Sequence, residues 1–567
     1  MYWSRYFVSP RPGGEATRRR LAHPPRLTPP TTYAAYAHAH GGMRGRAGES
    51  AVQSVTPAFY MYTTSELPLA HDELRACMDA MGAARREQLL DDQHTTGYWL
   101  HAQLADHPAR VRTPDDARLF VVPFWMKLSW LLGKCSGVDH LERVRRLLLA
   151  LKATPAFRHT ARRHLLSSSS FMQRIGPMMP RYAARQRNPV DGPFGCMNPW
   201  APTPTPFHYF PPEGEEVLAR LTIAHMERFS PSLCASRLPA NRSRFMYANW
   251  PQPWWDTRTL VLPYVVDAKT TAAALHRNTA SFEYAQWVRR PHTFFFAGNA
   301  MREGGAPYVR LSLTRLNEWE ETARIHCSGL TSARALPWRD EVAEYEARTR
   351  AGAGVHTTVR GSVSTAKADD ERNDILRWRA LRGELCRPPL TKAEVLSTML
   401  NSKFCICPRG DSPSTSRVYF ALAVGCIPIV VSDPWGDMAA PFSQALINLS
   451  AVVLRLEEQA VLDAPEAAMQ ALLEGAFDVS LRDGAKEHAR RQRGERGPAT
   501  GKRRLRFPMP GTVAAMPLEA HLRAMARVHR VALWRAPGNR LIAHLALASA
   551  LRLVSKANSR KGQHVQH

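Results

Sequence analysis

The feature that most constrains this chain is the stretch from Ser402 to Phe442, SKFCICPRGDSPSTSRVYFALAVGCIPIVVSDPWGDMAAPF. Its apolar run Lys403–Cys407 predicts a strand. Ile427–Val431 predicts a second one, buried on both faces as in parallel sheets. Between them, Pro408-Arg409-Gly410-Asp411-Ser412-Pro413 has the residues of a turn. A helix is predicted to start near Ser414 and to run to Val424, with Gly425 at its C′ position. The order is strand, polar loop, helix, strand.

That loop has definite physical chemistry. Ser414, Thr415 or Ser416 stands where it can cap the helix. A helix start presents N–H groups without intrahelical partners and the positive end of the dipole. Together these suit an anion such as a diphosphate. Arg409 lies in the loop and Arg417 in the first helical turn. A cation there disfavours the helix by roughly a few tenths of a kcal/mol, which makes sense if it meets an anion through charge-assisted bonds. A plain βα turn carrying surface arginines fits the same local pattern.

The rest of the chain repeats this alternation. Leu119–Phe124, Thr259–Tyr264 and Thr293–Gly298 are apolar runs of strand length, and Phe59–Tyr62 is a short β-prone run. Glu73–Leu90 and roughly Val138–Leu151 carry apolar residues at helical spacing. Leu541–Leu553 is apolar but interrupted by His544 and Arg552, which predicts a buried or interfacial helix. Strands alternating with helices indicate βαβ units and an α/β fold. Residues 1–54 are rich in Pro, Gly, Ala and Arg without periodicity and are expected to be disordered. Residues 176–215 read as a loop region, 330–375 as a polar insertion, and 483–506 as a dense Arg/Lys run, usually solvated. A chain of 567 residues favours two domains over one core.

Composition narrows the partners without choosing one. Lys and Arg number 76 against 49 Asp and Glu, a formal charge of +27. Such a balance favours anions: nucleic acid, acidic lipid, acidic polysaccharide or a nucleotide diphosphate. The basic run lacks the interleaved aromatics that stack on bases. The 9 Cys are scattered apart from Cys405 and Cys407. Zinc would need four ligands, and no nearby pair completes a set with Cys405, Cys407 and Cys426. A disulfide to Cys426 is open in an oxidising lumen. No Asp-x-Asp occurs, and the 22 His show no metal-type clustering. No apolar run of about 18 to 20 residues predicts a transmembrane helix. Met1–Leu21 lacks the apolar core of a signal peptide.

The Ser402–Phe442 stretch resembles the signature of the exostosin glycosyltransferases. It matches in Phe404-Cys405-Ile406-Cys407-Pro408-Arg409-Gly410, then Ser416-Arg417, Gly425-Cys426-Ile427-Pro428-Ile429, and Ala440-Pro441-Phe442. Pro114–Phe124, Thr257–Tyr264 and Arg290–Arg302 resemble the family's upstream segments in the right order. The resemblance covers roughly residues 59–460. It implies two facing Rossmann-like domains of GT-B type: residues 55–290 on the acceptor side, and 291–482 holding the nucleotide sugar. A basic linker and C-terminal helices would occupy 483–567.

The resemblance further implies that Arg302, Arg409, Gly410, Ser414, Ser416 and Arg417 hold the donor's diphosphate, with Arg and helix dipoles doing what a metal does elsewhere. No cofactor and no metal are then expected. Ala439 stands where family members often carry Glu before Leu-Pro-Phe. The implied activity is transfer of a sugar from a nucleotide-diphosphate sugar to a glycan or glycoprotein, in the Golgi, where the family's members are usually membrane-anchored. A general base would come from the N-terminal half, where Asp116, Asp256 and Asp267 lie near strand ends. Two other readings stand beside it. One is a non-catalytic relative that binds glycan or supports a partner transferase, motivated by Ala439. The other is a basic nucleic-acid-binding protein. A homo- or hetero-oligomer is compatible with the sequence.

Overall fold

Among the described residues, ten short strands and the helices between them build two all-parallel sheets in the computed structural model. The described residues are 56–168, 215–226 except 219, 259–299, 307–328, 386–409, 414–433, 435, 441–442, 446–447, 449–477, 505 and 507–564. The expected N-terminal disorder, the 330–375 insertion and nearly all of the 483–506 basic run lie outside them.

The first sheet contains β1 (Phe59–Met61), β2 (Leu119–Val122), β3 (His164–Ser167), β4 (Thr222–His225) and β5 (Thr259–Val261). They stand side by side in chain order. Alternate residues serve opposite faces. Phe59, Met61, Leu119, Val121 and Leu260 share one core with Leu100, Leu104 and the C-terminal helix. Tyr60, Phe120, Val122, Leu166 and Ile223 share the other with Val144, Leu147 and Leu151. Both faces are covered, which is why these strands read as unbroken apolar runs.

The second sheet contains β6 (His292–Asn299), β7 (Arg324–Ser328), β8 (Ser402–Pro408), β9 (Ile427–Val431) and β10 (Leu454–Leu456). Its order is β10-β9-β8-β6-β7. The order reverses between β6 and β8, the doubly wound arrangement in which ligands sit beyond the strands' carboxyl ends at the reversal. The first sheet's described strands have no such reversal, so the two α/β halves differ in topology.

Several expected elements shift by a residue or two. The helix expected over 73–90 is broken in two, His71–Ala80 and Ala83–Leu90, by Gly82 at φ 78°. The helix after the signature loop runs only from Arg417 to Ala423, with Gly425 at φ 71° beyond its end. A methyl on Gly425 would come within 2.7 Å of the Ser281 carbonyl, so glycine is required there for two reasons.

The apolar segment near the C-terminus forms part of the helix Leu541–His564 and is buried at every position from Leu541 to Ala550. It packs on β2, β4, β5 and the helix Thr96–Ala105. Gln103 fastens it: Nε2 donates to the Trp534 carbonyl at 2.9 Å and Oε1 accepts from the Ala543 amide at 3.2 Å. The C-terminal segment is therefore part of the N-terminal sheet's core. No helix among the described residues is long and apolar enough to cross a membrane.

Buried imidazoles are spread through these cores. Burial holds His71 and His164 down to about 4 and His101 down to about 3, from an ordinary 6.5. It likewise holds His521 down to about 4. Each binds its proton more weakly in the folded chain than in the unfolded one. Stability is thus fully present above about pH 6.5 and is lost as pH falls towards about 4. Each such histidine adds a slope of up to about 1.4 kcal/mol per pH unit in that window. Urea denaturation between pH 7.5 and 4.5 should show this steep decline; a flat profile would mean these imidazoles are accessible.

Candidate active site

A cavity of about 370 Å³ opens at the reversal point of the second sheet, a size suited to a small ligand. Its walls include Ala297 and Asn299 at the end of β6, Cys407 at the end of β8, and Ser414, Thr415, Ser416 and Arg417. Gln93 and Tyr264 bring in the C-terminal edge of the first sheet.

Arginines build this corner. Arg310, on the helix Pro307–Ser312, is buried and donates to the Asn299 carbonyl at 2.7 Å and the Arg409 carbonyl at 2.8 Å. It thereby spans the ends of β6 and β8. Arg290 works at the opposite end of the same strands, donating to the carbonyls of Ser402 (2.8 Å), Ser281 (2.9 Å) and Val424 (3.2 Å). Its place in the upstream motif was legible; that of Arg310 had no sequence signal.

The six sequence-predicted donor residues separate. Arg302 and Gly410 lie outside the described residues. Ser414, Ser416 and Arg417 line the cavity. Arg417 reaches across to β6: Nε donates to the Ala297 carbonyl at 3.0 Å, and the guanidinium lies 5.3 Å from the Phe296 ring centroid. Gly298 lets it do so. A methyl there would collide with Arg417 Nη2 and stand 3.0 Å from Phe296 Cζ. Ser414 turns its hydroxyl to the Tyr264 hydroxyl at 2.8 Å, and Ser416, the N-cap residue, makes no side-chain cap bond. A helix of seven residues has a weak dipole, so cationic character here comes from guanidinium groups.

Arg409 is buried away from the cavity wall. Its Nε donates to Glu458 Oε1 at 2.9 Å and Oε2 at 3.0 Å. Glu458 also ties to Asp433, whose Oδ1 accepts from the Glu458 amide at 3.0 Å. The pair clamps the ends of β8 and β9 to the helix Glu458–Asp463. Arg409 shapes the loop, and its charge is compensated by Glu458.

Two acids proposed near strand ends occupy structural positions. Asp116 accepts from Thr113 Oγ1 ahead of β2, at the edge of the sheet opposite the cavity. Asp267 accepts from the Thr270 amide at 2.7 Å at the start of the helix Ala268–Arg277. Asp256 lies outside the described residues. No group of three His, Cys, Asp or Glu among the described residues is placed to hold a metal ion.

Breaking the Arg409–Glu458 pair leaves a buried charge alone. Glu458→Gln should therefore destabilise the protein by about 3–5 kcal/mol in chemical denaturation; a loss under 1 kcal/mol would mean that the pair is solvated.

Residues 250–472 match the exostosin GT47 domain. The match includes all six predicted donor residues and leaves most of the first sheet outside. Among curated proteins, an exostosin-1 homolog from Caenorhabditis elegans is 32% identical over 110 residues, 19% of this chain and 26% of that protein. A probable glycosyltransferase from Arabidopsis thaliana is 34% identical over 87 residues, 14% of this chain and 18% of that one. The chain thus covers about a quarter or less of either relative. Ser414–Arg417 line the cavity at the sheet's reversal point, within the residues 250–472 over which this chain is similar to the exostosin GT47 domain.

Proposed function

We propose that the chain transfers a sugar from a nucleotide-diphosphate sugar to a glycan or glycoprotein acceptor. The observation that carries this reading is Arg417, which lines the cavity at the reversal point of the exostosin-matched sheet. Its guanidinium would meet the departing diphosphate, with the Ser416 hydroxyl beside it and Ser414 positioning Tyr264; the resemblance adds Arg302 and Gly410, which lie outside the described residues. Arg409 would hold the loop. In the transfer, an acceptor hydroxyl oxygen bonds to the anomeric carbon as the carbon–oxygen bond to the diphosphate breaks. The electron pair leaves with the diphosphate, and the hydroxyl proton goes to a base on the acceptor side. Charge on the leaving group would be met by guanidinium rather than by a metal. The first sheet, facing this cavity, would carry the acceptor, which can be an acidic polysaccharide given the charge of +27.

Disulfides among the described residues support maturation along an oxidising route, and with it the Golgi: Cys77–Cys135, Cys327–Cys386 and Cys405–Cys426. Such bonds persist in secretory compartments and are rare in the cytosol.

A nucleoside diphosphate at 100 times its Kd should stabilise the purified protein by about 2.7 kcal/mol, insensitive to EDTA. No shift with any nucleotide would overturn the donor reading and favour the non-catalytic relative that Ala439 suggests. Arg417→Ala should weaken that binding by about 10- to 100-fold, the worth of one charge-assisted bond, without unfolding the protein. Gly298→Ala should weaken it in the same assay by pushing the guanidinium aside; unchanged affinity would remove Arg417 from the site.

A further inference from the structure

Folding hides most large apolar side chains. Single exceptions on a surface are ordinary, but a cluster of them marks a contact surface. Among the described residues the three most exposed large hydrophobics stand in one short segment: Met509 at 73%, Val513 at 82% and Met516 at 56%. The next in exposure, Met81, Leu149 and Leu275, are scattered and reach 43%, 44% and 46%. Pro510 and Ala514 are exposed within the same segment.

The segment is held in this conformation from both ends. The Pro508 carbonyl accepts from the Tyr284 hydroxyl at 2.7 Å. The Met509 carbonyl accepts from the Thr512 amide at 3.2 Å and from Thr512 Oγ1 at 2.8 Å. Glu519 Oε1 accepts from the Gly511 amide at 3.2 Å, and Gly511 sits at φ 79°, where glycine carries no steric cost. The turn leads into the helix Met516–Val528, whose inner side buries Leu518, Leu522 and Met525. Hydrogen bonds and packing thus fix a turn whose apolar side chains meet solvent.

Further along this helix the same surface turns cationic. Met516, Ala520, Arg523 and Arg527 follow one another at helical spacing and so share a stripe. Arg523 and Arg527 are exposed, while Glu519, in the first turn, is engaged by the Gly511 amide. Residues 502–528 contain six Lys or Arg against one acidic residue. Exposed apolar side chains beside arginines are complementary to a bilayer interface. The acyl boundary takes up the apolar groups and anionic headgroups meet the cations.

The position of the segment is compatible with catalysis. The Phe507 ring, at its base, lies 5.5 Å from the Trp287 ring and 5.3 Å from the Lys403 ammonium. Lys403 begins β8, so the segment is rooted at the N-terminal edge of the second sheet, and the cavity opens at the opposite edge. We infer that Met509, Val513 and Met516, with Arg523 and Arg527, form a docking surface for an anionic lipid bilayer. Docking there would leave the cavity open to substrates from water. The inference stands apart from the donor reading and does not depend on it.

The test measures co-sedimentation of the full chain with vesicles of phosphatidylcholine alone and of phosphatidylcholine mixed with phosphatidylserine. The wild type should bind the mixed vesicles at least about tenfold more tightly. Met509→Ser, Val513→Ser and Met516→Ser together should weaken that binding at least about tenfold, with the melting temperature and the nucleoside-diphosphate response unchanged. Should this variant fail to fold, Val513→Asp alone should weaken it severalfold. Arg523→Gln with Arg527→Gln should weaken binding to the mixed vesicles and leave binding to phosphatidylcholine as it was. Undiminished vesicle binding by the triple serine variant or by Val513→Asp would overturn the surface, as would a wild type that binds neither vesicle. Equal binding to both vesicles would overturn the anionic lipid. A concentration-dependent dimer in sedimentation velocity that the serine variant abolishes would overturn the lipid occupant in favour of a second copy of the chain.

Discussion

Two buried arginines fasten the pair of strands on which the candidate site depends. β6 and β8 are neighbours in the second sheet but far apart in sequence, and the sheet order reverses between them. Arg290 ties their N-terminal ends through the carbonyls of Ser402, Ser281 and Val424. Arg310 ties their C-terminal ends through the carbonyls of Asn299 and Arg409. A planar guanidinium suits this work, since its several donors satisfy carbonyls of separate segments at once. With both ends held, the reversal leaves a cavity at the carboxyl edge rather than a mobile seam.

Around that cavity the charges are divided by burial and pairing. Arg409 is neutralised by Glu458 inside the sheet's edge, so it shapes the loop that Arg417 then uses. Arg417 crosses to β6, and Gly298 is small so that it can. The opposite wall has a different character: Tyr264 and Gln93 bring uncharged polar groups to the cavity. Cationic chemistry thus borders the cavity on the side of the second sheet, through Arg310 and Arg417. The hydroxyl bond from Ser414 to Tyr264 joins the two walls.

The C-terminal helix adds a constraint that spans the chain. It fills one face of the first sheet and is fastened by Gln103 and by the Trp534 indole, which donates to the Pro263 carbonyl at 3.1 Å. The edge that supports Tyr264 therefore depends on residues more than 250 positions later. The Phe442 amide, beyond β9, likewise donates to the Val261 carbonyl at 2.9 Å, so the end of the signature segment leans on the first sheet.

Local chemistry was legible from residues alone. The strands near Leu119, Thr259, Thr293, Lys403 and Ile427 follow from apolar runs too short and unbroken for amphipathic helices, and Gly425 follows from the need to end a helix in a left-handed turn. The signature around Arg417 pointed to the cavity because its residues are contiguous. Arg409 and Arg417 looked alike in sequence, eight positions apart across the loop and the helix start. Only folding brought Glu458 to one and Ala297 to the other, because pairing partners are chosen by packing and not by spacing. For the same reason Asp116 and Asp267 could be placed near strand ends, but not at the edge of the sheet each one occupies. Strand order, the partner of the C-terminal helix and the Arg310 bridge all arise from contacts between distant segments. Sequence by itself determined which segments became strands, helices and loops. Tertiary structure decided which charges pair within the sheet's edge, as Arg409 does with Glu458, and which line the cavity, as Arg417 does.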